Sequence, residues 1–147
     1  TLSLAHREDF LRKVRLARAL RGFRFLVMLS PCPTGWKSEP GEGVELIRDA
    51  VGCGLFPLYE IFDGVRYRIN ARPDATPLRH YLERQRRYRA VDADPARSQR
   101  CIDEQWRLLD ALATTFPATD DPFAETDVAA CRDRNEENTL PTEDVSP

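Results

Sequence analysis

Phe23-Arg24-Phe25-Leu26-Val27-Met28-Leu29, running straight into Ser30-Pro31-Cys32-Pro33-Thr34-Gly35-Trp36, reads as a buried strand that delivers one thiol into a rigid loop. Prolines on both sides of Cys32 fix two φ angles and remove two backbone donors. Neither a sheet ladder nor a helix continues through the cysteine, so its sulfur is presented rather than locked in a ladder. One cysteine does not hold a metal cluster, because iron-sulfur centres want about four thiolates. Either the partners of Cys32 lie elsewhere or the loop is a turn and nothing more.

Around this stretch the elements alternate. Glu8 and Asp9 open an apolar stripe at helical spacing, Phe10, Leu11, Val14, Ala17 and Leu20, with Arg18 and Arg21 near its end and Gly22 stopping it. Residues 43–51 give a second amphipathic helix with Val44, Ile47 and Val51 on one face, ended by Gly52 and Gly54. Leu55 to Phe62, the turn pair Asp63-Gly64, and the alternating Val65 to Ile69 predict a β-hairpin, whose first arm Pro57 demotes to an edge or bulged strand. Beyond Ile69 the pattern is helical. Thr76 is placed to cap a helix opening at Pro77 and carrying Leu78, Tyr81, Leu82, Gln85 and Tyr88. Asp94 is placed to cap another, opening at Pro95 and presenting Cys101, Ile102, Gln105, Trp106, Leu109 and Leu112. No internal repeat is found.

These elements predict an α/β fold with a helical C-terminal extension. Residues 1–72 are expected to be the α/β part, residues 73–116 an extension packing on it or on a partner subunit, and residues 117–147 an acidic, disordered tail. Residues 120–147 carry nine acids against Arg132 and Arg134, whereas the whole chain has a net charge of only -2. Few large apolar residues stand in that tail to offset its ordering entropy.

With 147 residues, 41% hydrophobic and 31% charged, the chain has enough material for one core, and its mean hydropathy of -0.52 describes a soluble protein. No run approaches the roughly 20 apolar residues of a membrane span. Thr1 to Ala5 has no signal-peptide character and the chain lacks an initiator methionine, as expected of a chain that starts inside a larger ancestral domain. Cys32, Cys53, Cys101 and Cys131 are widely spaced with no Cys-x-x-Cys pair, which argues against a zinc site or a dithiol made by this chain alone and suits a cytoplasmic protein with free thiols.

Pro31-Cys32-Pro33-Thr34-Gly35-Trp36, Glu39-Pro40 and Val44-Glu45-Leu46 together resemble the C-terminal half of the β subunit of pyruvate:ferredoxin oxidoreductases and related 2-oxoacid:acceptor oxidoreductases. Glu8-Asp9-Phe10 with Arg12-Lys13-Val14, Phe56 to Ile61 with Asp63-Gly64, Leu78 to Arg89, and Ile102 to Trp106 carry the resemblance across residues 6–112. It implies part of a thiamine-diphosphate-binding-type domain. The complete enzyme would use thiamine diphosphate, Mg2+ and a 4Fe-4S cluster to convert a 2-oxoacid and coenzyme A to an acyl-CoA, passing electrons to ferredoxin or a similar acceptor. Within it Cys32 matches the last cluster ligand, with Trp36 placed to shield the cluster from water. The family's Gly-Asp-Gly thiamine fingerprint and the other cluster cysteines are absent, and Phe62-Asp63-Gly64 does not replace the fingerprint. The chain is therefore expected to be inactive alone: a fragment, a split subunit needing the half that carries the thiamine motif, or a non-catalytic remnant that stabilises a complex.

The remaining candidates read as structure. Cys53 and Cys101 are expected to be packing residues, Cys131 has no visible partner, His6 and His80 lack a telling neighbour, and Asp103-Glu104 is helix surface. The arginines and tyrosines of residues 79–89 invite a nucleic-acid reading. A pI near 5.7 opposes it, and a helix clasping an acidic neighbouring subunit is the simpler expectation.

Overall fold

The computed structural model describes residues 1–89 and 94–118. Element order is β1 (Leu2–Ser3), α1 (Arg7–Ala19), β2 (Met28–Leu29), α2 (Pro33–Trp36), α3 (Gly43–Gly52), β3 (Leu58–Phe62), β4 (Arg66–Ala71), α4 (Leu78–Glu83) and α5 (Pro95–Thr115), with 3-10 turns at Pro40–Glu42 and Arg86–Tyr88. This is a mixed α/β arrangement.

β1 and β2 are parallel, Leu2 opposite Met28, while β3 and β4 are antiparallel with a register shift at Leu58/Tyr59, directly after Pro57. Thr1 joins the two pairs. Its nitrogen donates to the Tyr59 carbonyl at 2.9 Å, and its Oγ1 accepts from the Tyr59 N–H at 2.9 Å while donating to the Pro57 carbonyl at 2.6 Å. On the far side of β4, Tyr67 exchanges backbone hydrogen bonds with Phe116 and Ala118, so Pro117 and Ala118 lie beside the hairpin. The rest of the expected tail, from residue 119, lies outside the described residues.

The core forms where α3 meets the later helices. Leu46, Ile47 and Ala50 of α3 are fully buried against Trp36, Cys53, Leu78, Tyr81 and Ile102. Val44, expected on that face, is instead about half exposed, at the start of α3 where no described element covers it. In α1 the buried residues are Lys13 and Leu16, not the expected Val14. Lys13 turns inward because Asp9 and the Thr1 carbonyl receive its ammonium at 2.6 and 2.8 Å.

Two expectations fail for tertiary reasons. Residues 23–29 do not form a buried strand: only Met28–Leu29 pairs, and Phe23 and Phe25 are 92% and 77% exposed, because β1 is the only described strand beside them. The basic segment is not one helix. α4 ends at Glu83, Gln85 is extended (φ -110°, ψ 104°), and the Arg86 N–H bonds to the Lys37 carbonyl instead of to its own helix. Thr76 is no cap either, since its N–H and hydroxyl both donate to Asp74. Asp94 does cap α5 as expected, accepting from Ala96 and Arg97.

Gly54 permits α5 to dock. Its φ is +80°, and a Cβ there would lie 2.7 Å from Trp106 Nε1, whose N–H donates to the Gly54 carbonyl at 2.8 Å. Leu46→Ala should cost about 3 kcal/mol of unfolding free energy in urea, by lost transfer and cavity formation. Phe25→Ser should change the stability of the isolated chain by less than about 0.5 kcal/mol, since Phe25 buries almost nothing.

Candidate functional site

The Cys32 loop is held from three directions. The Pro31 ring lies against the first turn of α3, where a Cβ on Gly43 would come within 3.0 Å of it. Trp36, 8% exposed, enters the core edge-on to Tyr81 with ring centroids 6.2 Å apart. The Arg87 guanidinium covers it, 5.2 Å from the Trp36 ring centroid and 4.6 Å from that of Tyr88. Finally, Lys37 adopts a left-handed conformation (φ 54°), and its carbonyl accepts from both the N–H and Nε of Arg86. Trp36 is thus a core anchor that fixes the loop.

Cys32 is the residue this frame presents. It is the N-cap of α2, its sulfur exposed and free and accepting the Gly35 N–H at 3.4 Å. A Cβ on Gly35 would sit 3.1 Å from that sulfur, so the turn closes tightly around it. Cys53 is buried, its thiol directed at the Ala50 carbonyl, and burial pushes its pKa up, which makes it a packing residue as expected. Cys101, expected to pack, is exposed: α5 turns Ile102 and Trp106 inward and leaves the cysteine outside. Cys131 lies outside the described residues.

A cluster or a thiamine site needs more than one such residue. Among the described residues no group of three or more His, Cys, Asp or Glu side chains converges. Cys32 fits a cluster as one outward-facing corner. Asp63-Gly64 does not fit a cofactor loop, because both residues have positive φ at the tip of the hairpin and the Asp63 carboxylate pairs with Arg66. Nor does His6 meet a catalytic partner, since its Nδ1 is buried without one, and burial lowers its pKa. No described helix is long and apolar enough to cross a membrane.

Three arginines of the basic segment, Arg84, Arg86 and Arg87, are engaged within the chain. Arg84 reaches Glu45 at 2.7 Å, Asp49 at 3.0 Å and Glu42 at 3.4 Å, clamping α4 to α3, and Arg86 approaches Glu39 at 3.4 Å. A cationic face free for phosphates is correspondingly reduced. Nothing in the spacing of residues 42, 45, 49 and 84 announces this clamp, which depends on two helices brought side by side. Arg12, Glu60 and Asn70 form a second polar knot between α1 and the hairpin. Its one sequence-local part is the i,i+3 pair of Asp9 and Arg12.

Alkylation of the native chain by iodoacetamide, read by peptide mass spectrometry, should label Cys32 and Cys101 rapidly and Cys53 only after unfolding. The Glu45 carboxyl is held below the usual range by its Arg84 hydrogen bond. Its folded pKa lies below its unfolded one, so this stabilisation is complete above the ordinary glutamate pKa of about 4.3 and is lost as the pH falls through the folded value. The gap in urea midpoint between the native chain and Arg84→Gln should therefore be widest near neutral pH and narrow on acidification.

No family model matches the chain. It is 44% identical over 111 residues to the pyruvate synthase subunit PorB of Methanocaldococcus jannaschii, covering 74% of this chain and 37% of that protein. To the ketoisovalerate oxidoreductase subunit VorB of Pyrococcus furiosus it is 33% identical over 120 residues, covering 79% of this chain and 38% of that protein. To PorB of Methanothermobacter marburgensis it is 40% identical over 105 residues, covering 70% and 36%. The chain thus spans less than two fifths of the length of these relatives. Over that span the chain is homologous to the PorB and VorB subunits of 2-oxoacid oxidoreductases.

Proposed function

We propose that the chain is the C-terminal portion of the β subunit of a 2-oxoacid oxidoreductase, one that converts pyruvate and coenzyme A to an acyl-CoA and hands the electrons to ferredoxin or a similar acceptor in the cytoplasm. The observation that carries this reading is the 44% identity over 111 residues to a pyruvate synthase subunit. Residues 1–72 would be the end of a thiamine-diphosphate-binding-type domain and residues 73–116 its helical extension. α4 packs on α3 and α5 on β4, as expected of an extension that folds back on the first part. Thiamine diphosphate and Mg2+ would be held by polypeptide outside this chain.

Cys32 would give one thiolate to a 4Fe-4S cluster whose other ligands lie outside this chain, and such a cluster, when bound, accepts and passes on single electrons. The loop's own contribution is positional. Trp36, Pro31 and Lys37 fix where the sulfur stands, and the Gly35 N–H draws charge from it, a hydrogen bond of the kind that tunes cluster potential.

The test is the anaerobically purified complex of this chain with its companion subunits. Cys32→Ala should remove the visible thiolate-to-iron absorbance of one cluster, while Cys101→Ala should leave it unchanged. Equal absorbance in both variants would overturn the ligand assignment. A colourless complex in which this chain is required for assembly alone would make it a stabilising, non-catalytic module instead.

A further inference from the structure

Among the arginines that follow Leu78, Arg87 stands apart. Arg84 meets three carboxylates and Arg86 meets Glu39, while Arg79 and Arg89 are exposed. Arg87 is partly buried, meets no carboxylate among the described residues, and has its Nε buried without a hydrogen-bond partner there. Its neighbours are two rings, with the centroid of Trp36 at 5.2 Å and that of Tyr88 at 4.6 Å from the guanidinium carbon. Ring faces attract a cation but do not neutralise it, and a cation drawn out of water without an anion is costly.

The fold ties this cation to the Cys32 turn. Gln85, fully buried and extended, donates from Nε2 to the Tyr81 carbonyl at 2.8 Å, and the Arg86 Nε–H donates to the Lys37 carbonyl at 2.9 Å. These contacts carry Arg87 onto Trp36. The backbone N–H of Trp36 donates to the Cys32 carbonyl at 2.8 Å, so that ring and the exposed sulfur belong to one helical turn. An uncompensated cation beside a presented thiol calls for an anion at that thiol. A 4Fe-4S core held by thiolates is such an anion, and it gains a further negative charge on reduction, so positive charge nearby favours its reduced state.

We propose that Arg87 is the charge partner of the cluster to which Cys32 contributes a ligand, held against Trp36 so that its positive charge raises the reduction potential of that cluster. This role rests on the ligand reading of Cys32 proposed above.

The test is a redox titration of the anaerobically purified complex, followed by electron paramagnetic resonance of the reduced cluster whose signal Cys32→Ala removes. Arg87→Gln, which loses the charge, should cut the ratio of reduced to oxidised cluster at a fixed potential about tenfold, which is about 59 mV for one electron. Arg87→Lys, which keeps the charge and loses the planar stack, should lie closer to the native ratio than to that of Arg87→Gln. Arg100→Gln, at an exposed arginine of α5, should leave the ratio unchanged. Should Arg87→Gln fail to fold or to carry a cluster, Arg87→Lys decides: a native ratio upholds the charge role, and a tenfold fall overturns it. A native ratio in a cluster-bearing Arg87→Gln would overturn this role and leave the ligand reading standing. An equal fall in both Arg87 variants would overturn it too, because the stack and not the charge would then set the potential. A cluster signal that survives Cys32→Ala would overturn the ligand reading and this role with it.

Discussion

Burial of Trp36 against Tyr81, under the guanidinium of Arg87, is the contact on which the rest of the structure turns. It converts a proline-bounded loop into a fixed extension of the core. Because α3 supplies the fully buried Leu46, Ile47 and Ala50 to the same cluster, the position of the Cys32 sulfur is coupled to the packing of the whole helical side of the molecule. The ligand role proposed for Cys32 needs such a sulfur, fixed in place before the cluster arrives. Pro31 packed on Gly43 and Arg86 on the Lys37 carbonyl remove the freedom that Trp36 alone would leave.

Polar groups play a different part. The Arg84 clamp on Glu42, Glu45 and Asp49 and the knot of Arg12, Glu60 and Asn70 sit at the seams between elements, where short helices and a two-stranded hairpin have little apolar area to offer each other. Partly exposed pairs of this kind contribute little individually, but several acceptors around one guanidinium fix geometry well. They also explain why an arginine-rich segment need not signal nucleic acid: several of its charges complete this chain's own fold.

The molecule's asymmetry follows from the same inventory. Its helical side closes on itself around α3, whereas on the β1–β2 side Phe23 and Phe25 stand exposed, Leu26 and Met28 are half-exposed, and no strand pairs with the outer edge of β2 among the described residues.

Local chemistry determined the parts that the sequence made legible. The prolines around Cys32, the Asp63-Gly64 turn, the bulge after Pro57 and the Asp94 cap all act within a few residues, and each stands where its backbone preference puts it. Resemblance carried across residues 6–112 likewise identified the family. Tertiary structure alone decided that Lys13 is buried, that Cys101 is exposed, that the segment after Glu83 breaks to reach Lys37, and that residues 23–26 pair with no strand among the described residues. Each of these depends on what lies on the other side of an element, and an apolar run states only that it should be covered, not whether the covering surface is present.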